Sequence, residues 1–210
     1  MLFKICGLKN IDTIKCCEKN KVNYFGMIFY NKSPRYISFN EALKLVEYSK
    51  RIKIKPVGVF VNEETEIVNS YVKKLNLKTI QLHGDENNEY INKIKKNHKI
   101  TIIKSISVRD VNDLKNLKNY DSNDYFLLDY KGNKDELPGG NAKTFDWLLL
   151  SKLNIKKPWF LSGGINISNI NKIKKYANPD GIDLSSGVEE SPGIKKIDMI
   201  NSLFNKYYEK

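Results

Sequence analysis

Eight short apolar runs, separated by stretches with apolar residues at helical spacing, limit what this chain can fold into. The runs span residues 2–6, 24–30, 56–61, 79–83, 101–108, 125–129, 159–162 and 181–184. Most carry Val, Ile, Leu, Phe or Tyr at successive positions, as strands do when helices cover one face and a core fills the other. The intervening stretches carry helix signals. Asn10 is placed to cap a helix containing Ile11 and Ile14. Ser38 and Glu41 have capping-box spacing ahead of Ala42, Leu45 and Val46. Asn62, followed by Glu63, Glu64 and Glu66, is expected to open a helix through Ile67, Tyr71 and Leu75. Thr144 leads into Phe145, Trp147 and Leu148, and Asn166 into Ile167, Ile170 and Ile173. A last helix is expected to set Ile194, Ile197, Ile200, Leu203, Phe204 and Tyr207 near one stripe. The stretches after Gly84 and Val108 permit short helices.

Strand–helix alternation repeated eight times gives either a closed barrel or an open doubly wound sheet. No Gly-x-Gly-x-x-Gly turn follows the first run, which counts against dinucleotide binding. Polar residues gather at many strand ends rather than at one switch point: Lys4-Ile5-Cys6-Gly7, Gln81-Leu82-His83-Gly84-Asp85, Leu127-Leu128-Asp129, Ser162-Gly163-Gly164, and Asp183 through Glu189. A barrel brings such ends to one rim. The expectation is therefore an α/β fold, a single (β/α)8 TIM barrel occupying residues 1–210 as one domain.

The formal net charge of +12 raises the question of a nucleic-acid or membrane partner. Nearly all of the positive charge is lysine, since Arg35, Arg51 and Arg109 are the only arginines. No basic run alternates with aromatics as a strand-stacking surface requires. The excess of Lys, Asn and Ile reads as compositional drift, so neither nucleic acid nor membrane is expected as a partner. No apolar run approaches the roughly 18 residues that span a bilayer. Cys6, Cys16 and Cys17 form an odd set without metal-ligand spacing, which predicts reduced thiols, no metal and a cytoplasmic setting. The chain opens directly on strand-like residues, so no signal or transit peptide is expected.

The strand-end motifs, together with Phe29-Tyr30, Lys32-Ser33-Pro34-Arg35-Tyr36-Ile37, Gly58-Val59-Phe60-Val61-Asn62, Phe145-Asp146-Trp147 and Leu161-Ser162-Gly163-Gly164, resemble the phosphoribosylanthranilate isomerase family. The matches run in order from residue 3 to about residue 193. Each motif alone is unspecific; the ordered set is not. The resemblance implies an Amadori rearrangement of a phosphorylated amino-sugar on the route to tryptophan, with a general acid, a general base and no cofactor. It implies Cys6 as the base and Asp129 as the acid. A free thiol titrates near 8.5, and Lys4, two residues earlier on the same face, is expected to favour the thiolate. Asp129 ends an apolar strand, where burial lets a carboxyl keep its proton. Gly163, Gly164, Ser185, Ser186 and Gly187 are implied to offer backbone N–H groups to the phosphate. Arg35 resembles the residue that holds the anthranilate carboxylate, which a guanidinium can grip bidentately. Gln81 and His83 are expected at the barrel mouth, with His83 a candidate for the anthranilate pocket. Asp183 faces the rim or interior without an assigned role. The implied partner is a small phosphosugar, and monomer and homodimer both fit the family.

One segment departs from the family pattern. Gly139-Gly140-Asn141-Ala142-Lys143-Thr144 has Ala142 where a glycine is usual, and the stretch from Asp129 to Gly139 is longer. That difference bears on closure of the loop over substrate. Two other readings compete. A sister barrel isomerase of histidine synthesis shares the phosphate loops but has aspartate in place of Cys6. It also needs a second phosphate site, for which the first half of the chain has no Gly-Gly turn. A basic barrel binding RNA or serving as a scaffold is the non-enzymatic alternative; salt-sensitive RNA affinity without isomerase activity would mark it.

Overall fold

Each of the eight apolar runs forms a parallel strand: β1 (Leu2–Cys6), β2 (Tyr24–Ile28), β3 (Lys55–Phe60), β4 (Thr79–Leu82), β5 (Thr101–Val108), β6 (Tyr125–Tyr130), β7 (Trp159–Leu161) and β8 (Gly181–Leu184). The structure is a computed structural model that describes residues 1–132, 143–151 and 155–209. Neighbouring strands pair in sequence order, and β8 returns to β1 with Leu2 opposite Gly181 and Lys4 opposite Asp183. The sheet is thus a closed (β/α)8 barrel.

Alternation of side chains across each strand explains why both faces read apolar. Phe3, Ile5, Ile80, Leu82, Phe126, Leu128, Leu161 and Ile182 belong to the large outer core shared with the helices. Val57, Ile103, Leu127 and Phe160 form a small separate cluster, with Leu2, Tyr24 and Tyr125 packed against it. Two residues further along several strands come Lys4, Gln81, Ser105 and Asp183, all buried and polar. An interior that changes from apolar to polar along its length places the chemistry at the C-terminal ends of the strands.

The outer layer holds α1 (Ile11–Lys19), α2 (Phe39–Ser49), α3 (Thr65–Lys74), α4 (Asn88–Asn97), α5 (Val111–Leu114), α6 (Ile173–Tyr176) and α7 (Ile197–Tyr208). Asn10 caps α1 through Thr13 N, and Ser38 and Glu41 form the full capping box of α2. Asn62 does not cap α3, which begins at Thr65 behind Glu64. Instead Asn62 sits at φ 50° and its Oδ1 accepts a hydrogen bond from Asp85 N. The stretch after Gly84 yields a ten-residue helix capped by Asn87. The stretch after Val108 gives α5 followed by a 3-10 turn over Lys115–Asn119. Among the described residues, 3-10 turns follow Thr144 and Asn166, over Trp147–Leu150 and Ile170–Lys172, the second running into α6. Leu148 and Ile167 are accordingly exposed.

The expected stripe of the last helix is shorter than its pattern suggested. Pro192 and Gly193 make a turn, with Gly193 at φ +88°, between β9 (Glu189–Ser191) and β10 (Ile194–Lys195). Proline followed by glycine is the signature of such a turn. Ile194 is therefore 54% exposed in a hairpin, and α7 buries Ile200, Leu203 and Phe204. Among the described residues no helix is long and apolar enough to cross a membrane.

Candidate active site

The C-terminal ends of the strands surround a pocket lined by Cys6, Ile28, Tyr30, Ser33, Arg35, Val59, Val61, Gln81, His83, Asp129, Ser162, Asp183 and Ser185. Several of these come as pairs two residues apart, because alternate residues of a strand face the barrel interior. Seven residues singled out from the sequence meet here: Cys6, Arg35, Gln81, His83, Asp129, Asp183 and Ser185. Gly163, Gly164, Ser186 and Gly187 do not line it themselves. They continue the chain from Ser162 and Ser185, which do.

Cys6, at the end of β1, is buried beside Lys4, which donates to Asp183 Oδ1 at 3.0 Å from β8. Burial pushes the thiol above its ordinary value; Lys4 and Lys195 pull it down, and Asp183 pushes it up. Lys4, expected to favour the thiolate, does pull the thiol down, but desolvation outweighs it, and Lys4 is also paired with Asp183. Lys4 itself is held above the usual lysine value: burial works against its charge, while Asp183 and Cys6 more than restore it. Burial also pushes the Asp183 carboxyl up against the pull of Lys4.

Across the barrel, Asp129 is the penultimate residue of β6. Its Oδ1 accepts from Tyr130 N at 2.8 Å, and its Oδ2 lies 3.3 Å from His83 Nε2. Gln81 Nε2 stands 2.7 Å from His83 Nδ1. With that amide donating to Nδ1, a neutral imidazole carries its proton on Nε2, aimed at Asp129. Gln81, His83 and Asp129 thus form a hydrogen-bonded row from β4 to β6.

Arg35 reaches the pocket from the loop after β2 and is buried, not a surface charge. Its Nε and Nη2 donate to Glu189 Oε1 and Oε2 at 2.9 and 2.7 Å. Glu189 also pairs with Lys195. Arg35, Lys195 and their hydrogen bonds hold the Glu189 carboxyl below its usual range against the opposing effect of burial. Sequence reasoning gave neither Glu189 nor Lys195 a role. The detectable signal was the Pro192-Gly193 turn, which folds the segment 189–195 back on itself.

The loops after β7 and β8 adjoin one another. Gly163 and Gly164 adopt φ +88° and +60°, which side chains other than glycine rarely take. Gly187 packs so closely that a Cβ would lie 1.9 Å from the Ile165 carbonyl oxygen. Asn166 and Asn169 both donate to Gly164 O at 3.0 Å and fix the turn. The stretch 139–142, with the unusual Ala142, lies outside the described residues. Among the described residues no group of three or more His, Cys, Asp and Glu gathers as a metal site.

The sequence matches the family model for N-(5′-phosphoribosyl)anthranilate (PRA) isomerase over residues 3–206. It is 41% identical over 205 residues to N-(5′-phosphoribosyl)anthranilate isomerase of Rhizobium etli (strain CIAT 652), covering 97% of this chain and 92% of that one. The fold superposes on phosphoribosyl anthranilate isomerase from Thermotoga maritima with TM-score 0.87 and 33% identity, covering 98% of both chains. A phosphoribosyl anthranilate isomerase solved with reduced 1-(o-carboxyphenylamino)-1-deoxyribulose 5-phosphate superposes with TM-score 0.82 and 31% identity, covering 98% of both.

Proposed function

Because this chain belongs to the N-(5′-phosphoribosyl)anthranilate (PRA) isomerase family, we propose that it performs the Amadori rearrangement with Cys6 as general base and Asp129 as general acid. The protein is an isomerase of tryptophan biosynthesis. The observation that carries the catalytic assignment is that a thiol on β1 and a carboxyl on β6 line one pocket with Arg35.

The substrate is a phosphorylated furanosylamine carrying an anthranilate ring. Asp129 gives a proton to the ring oxygen as the bond from that oxygen to C1 breaks, which leaves a protonated imine at C1. The Cys6 thiolate then takes the proton from C2. Those electrons form the C1–C2 double bond of an enaminol, and the positive charge on nitrogen is discharged. Tautomerisation of the enaminol gives the amino-ketose. The steps move protons only and are redox-neutral, and positioned acid and base groups contribute about 10²- to 10⁴-fold each.

Binding follows from charge. The carboxylate of the anthranilate ring meets the Arg35 guanidinium, whose plane Glu189 fixes by a two-point contact. The phosphate is received by backbone N–H groups of Gly163, Gly164, Ser186 and Gly187, with the Ser185 side chain alongside. Positive φ at Gly163 and Gly164 supports that reading, since such turns expose successive amides.

The test is direct. The substrate is generated in situ from anthranilate and followed by loss of its fluorescence. Cys6→Ala and Asp129→Asn are each expected to lower turnover about 100-fold or more. Near-complete turnover in either variant removes that residue from its role. Loss of the phosphate from a product analogue is expected to weaken binding strongly; equal affinity would contradict the phosphate assignment.

A further inference from the structure

Strand β2 carries a glycine directly beside the proposed base. Gly26 is the registered partner of Cys6 across the β1–β2 pair. Residues 24, 26 and 28 alternate onto the inner face of the barrel. Tyr24 packs against the apolar inner cluster, and Ile28 lines the pocket. Between them Gly26 presents no side chain. Glycine weakens a strand interior and marks a place where another group approaches the backbone closely. A Cβ at this position would lie 2.7 Å from Cys6 Sγ, nearer than such contacts come. It would also lie 3.1 and 3.3 Å from Cys6 Cα and Cβ. The sulfur therefore occupies the room in which a side chain at residue 26 would begin.

The main chain of Cys6 is held next to this notch. Gly26 O accepts from Gly7 N at 2.9 Å and from Leu8 N at 3.0 Å, immediately after Cys6. From the loop after β8, Ser185 Oγ donates to Cys6 O at 3.2 Å. With the backbone so fixed, the location of Sγ depends on rotation about χ1 and on the room that neighbouring strands leave. Another glycine, Gly181 of β8, gives the contrast. A Cβ there would lie 2.3 Å from Phe160 Cε1, so that room is taken by an inert ring of the inner cluster. The room at Gly26 is taken by a thiol that lines the pocket.

We propose that Gly26 is a positioning residue for Cys6: the space left by its missing side chain is the seat of the sulfur, and that seat sets the line along which the thiolate meets the substrate carbon. One residue thus serves the base twice, by its bare Cα towards the sulfur and by its carbonyl towards the chain that follows. The consequence for turnover rests on the reading of Cys6 as base. The seat itself does not, and it is read separately below.

Gly26→Ala is compared with the parent and with Phe25→Leu, which alters the outer, fully buried face of the same strand. In the crystal structure of Gly26→Ala, Sγ is expected to move by about 1 Å, the gap between 2.7 Å and an ordinary contact. Turnover number is expected to fall about 100-fold, as misplacement of that size costs. Affinity for reduced 1-(o-carboxyphenylamino)-1-deoxyribulose 5-phosphate is expected to stay at the parent value. Phe25→Leu is expected to lower the urea midpoint and keep the turnover number. Parent-like turnover in Gly26→Ala overturns the proposal, as does an unmoved sulfur, an equal loss of analogue affinity, or an equal fall in turnover in Phe25→Leu. Should Gly26→Ala not fold, the same change in a Cys6→Ala background is expected to fold, because the sulfur it meets is gone. Failure there too would make the glycine a matter of strand spacing and overturn the proposal. Failure of the base assignment shows differently, as retained turnover in Cys6→Ala with the sulfur of Gly26→Ala still displaced.

Discussion

His83 is held at both ring nitrogens: Gln81 Nε2 lies against Nδ1, and Asp129 Oδ2 faces Nε2. A donor on one nitrogen decides which tautomer the neutral ring adopts, and so which way it can donate. Here the ring donates to the carboxyl proposed as the acid, while Tyr130 N holds the other oxygen. The two bonds together hold the carboxyl of Asp129, and Gln81 reaches it through His83. Gln81→Glu replaces a donor with an acceptor at nearly constant volume. Nδ1 should then take the proton, and a neutral ring would turn its bare Nε2 towards Asp129. The chain has two histidines, so in a His98→Gln background nitrogen-15 NMR reads His83 alone. The expected outcome is a shift of the proton from Nε2 to Nδ1 with turnover reduced about tenfold or more. An unchanged Nε2–H signal with full turnover would remove the relay. The geometry sets Gln81 and His83 beside Asp129, where the sequence had placed both at the barrel mouth as substrate-binding candidates, His83 for the anthranilate pocket.

At the level of elements, the loop that carries His83 is tied down by a buried ion pair. Lys104 of β5 donates to Gly84 O at 2.6 Å, to Ser105 O at 3.0 Å and to Glu86 Oε2 at 3.2 Å. Glu86 Oε1 accepts from Asn62 N at 2.8 Å, so the loops after β3 and β4 meet on one carboxylate. Both side chains are almost fully enclosed. Removing one partner of such a pair leaves an uncompensated charge and costs about 3–5 kcal/mol. Lys104→Met is expected to lose stability of that order in urea denaturation, and Lys104→Met with Glu86→Gln to regain at least half. A single variant as stable as the parent would show that the pair is replaceable. The strands, the barrel and the two best helix caps were legible because period and capping chemistry are local. The Lys104–Glu86 pair and the Arg35–Glu189–Lys195 set were not, because their members are brought together only by the closed fold. In a chain with 36 Lys and Arg residues, one more lysine carries little signal. The available clue was that Lys104 shares a strand face with Ile102 and Ile106, both buried, and a cation there requires a partner. Asn62 misled for the same reason: its side chain serves the loop after β4, not the helix beside it in sequence.

Taken as a whole, the molecule keeps protons that its unfolded chain would release in alkali. Burial raises the thiols of Cys6, Cys16 and Cys17 above the ordinary 9.0. It also raises Tyr24, Tyr71, Tyr90, Tyr120, Tyr207 and Tyr208 above 10.0. For each of these groups the folded value exceeds the unfolded one. As pH rises past 9.0 the unfolded state binds fewer protons than the folded state, and unfolding free energy falls with pH. Lys104, Lys157 and Lys195 are lowered by burial and act in the opposite sense. Among the described residues the raised acids outnumber the lowered lysines, and the thiols titrate first. The urea midpoint is therefore expected to stay level up to the thiol range and then decline steadily through the tyrosine range. Cys17 is fully buried, and burial holds its thiol above the ordinary value. Cys17→Ala should flatten the first part of the decline, after allowance for any loss of packing read at neutral pH. A midpoint that rises across the whole alkaline range would mean that the buried lysines, with relief of repulsion in a chain of formal charge +12, govern the balance instead.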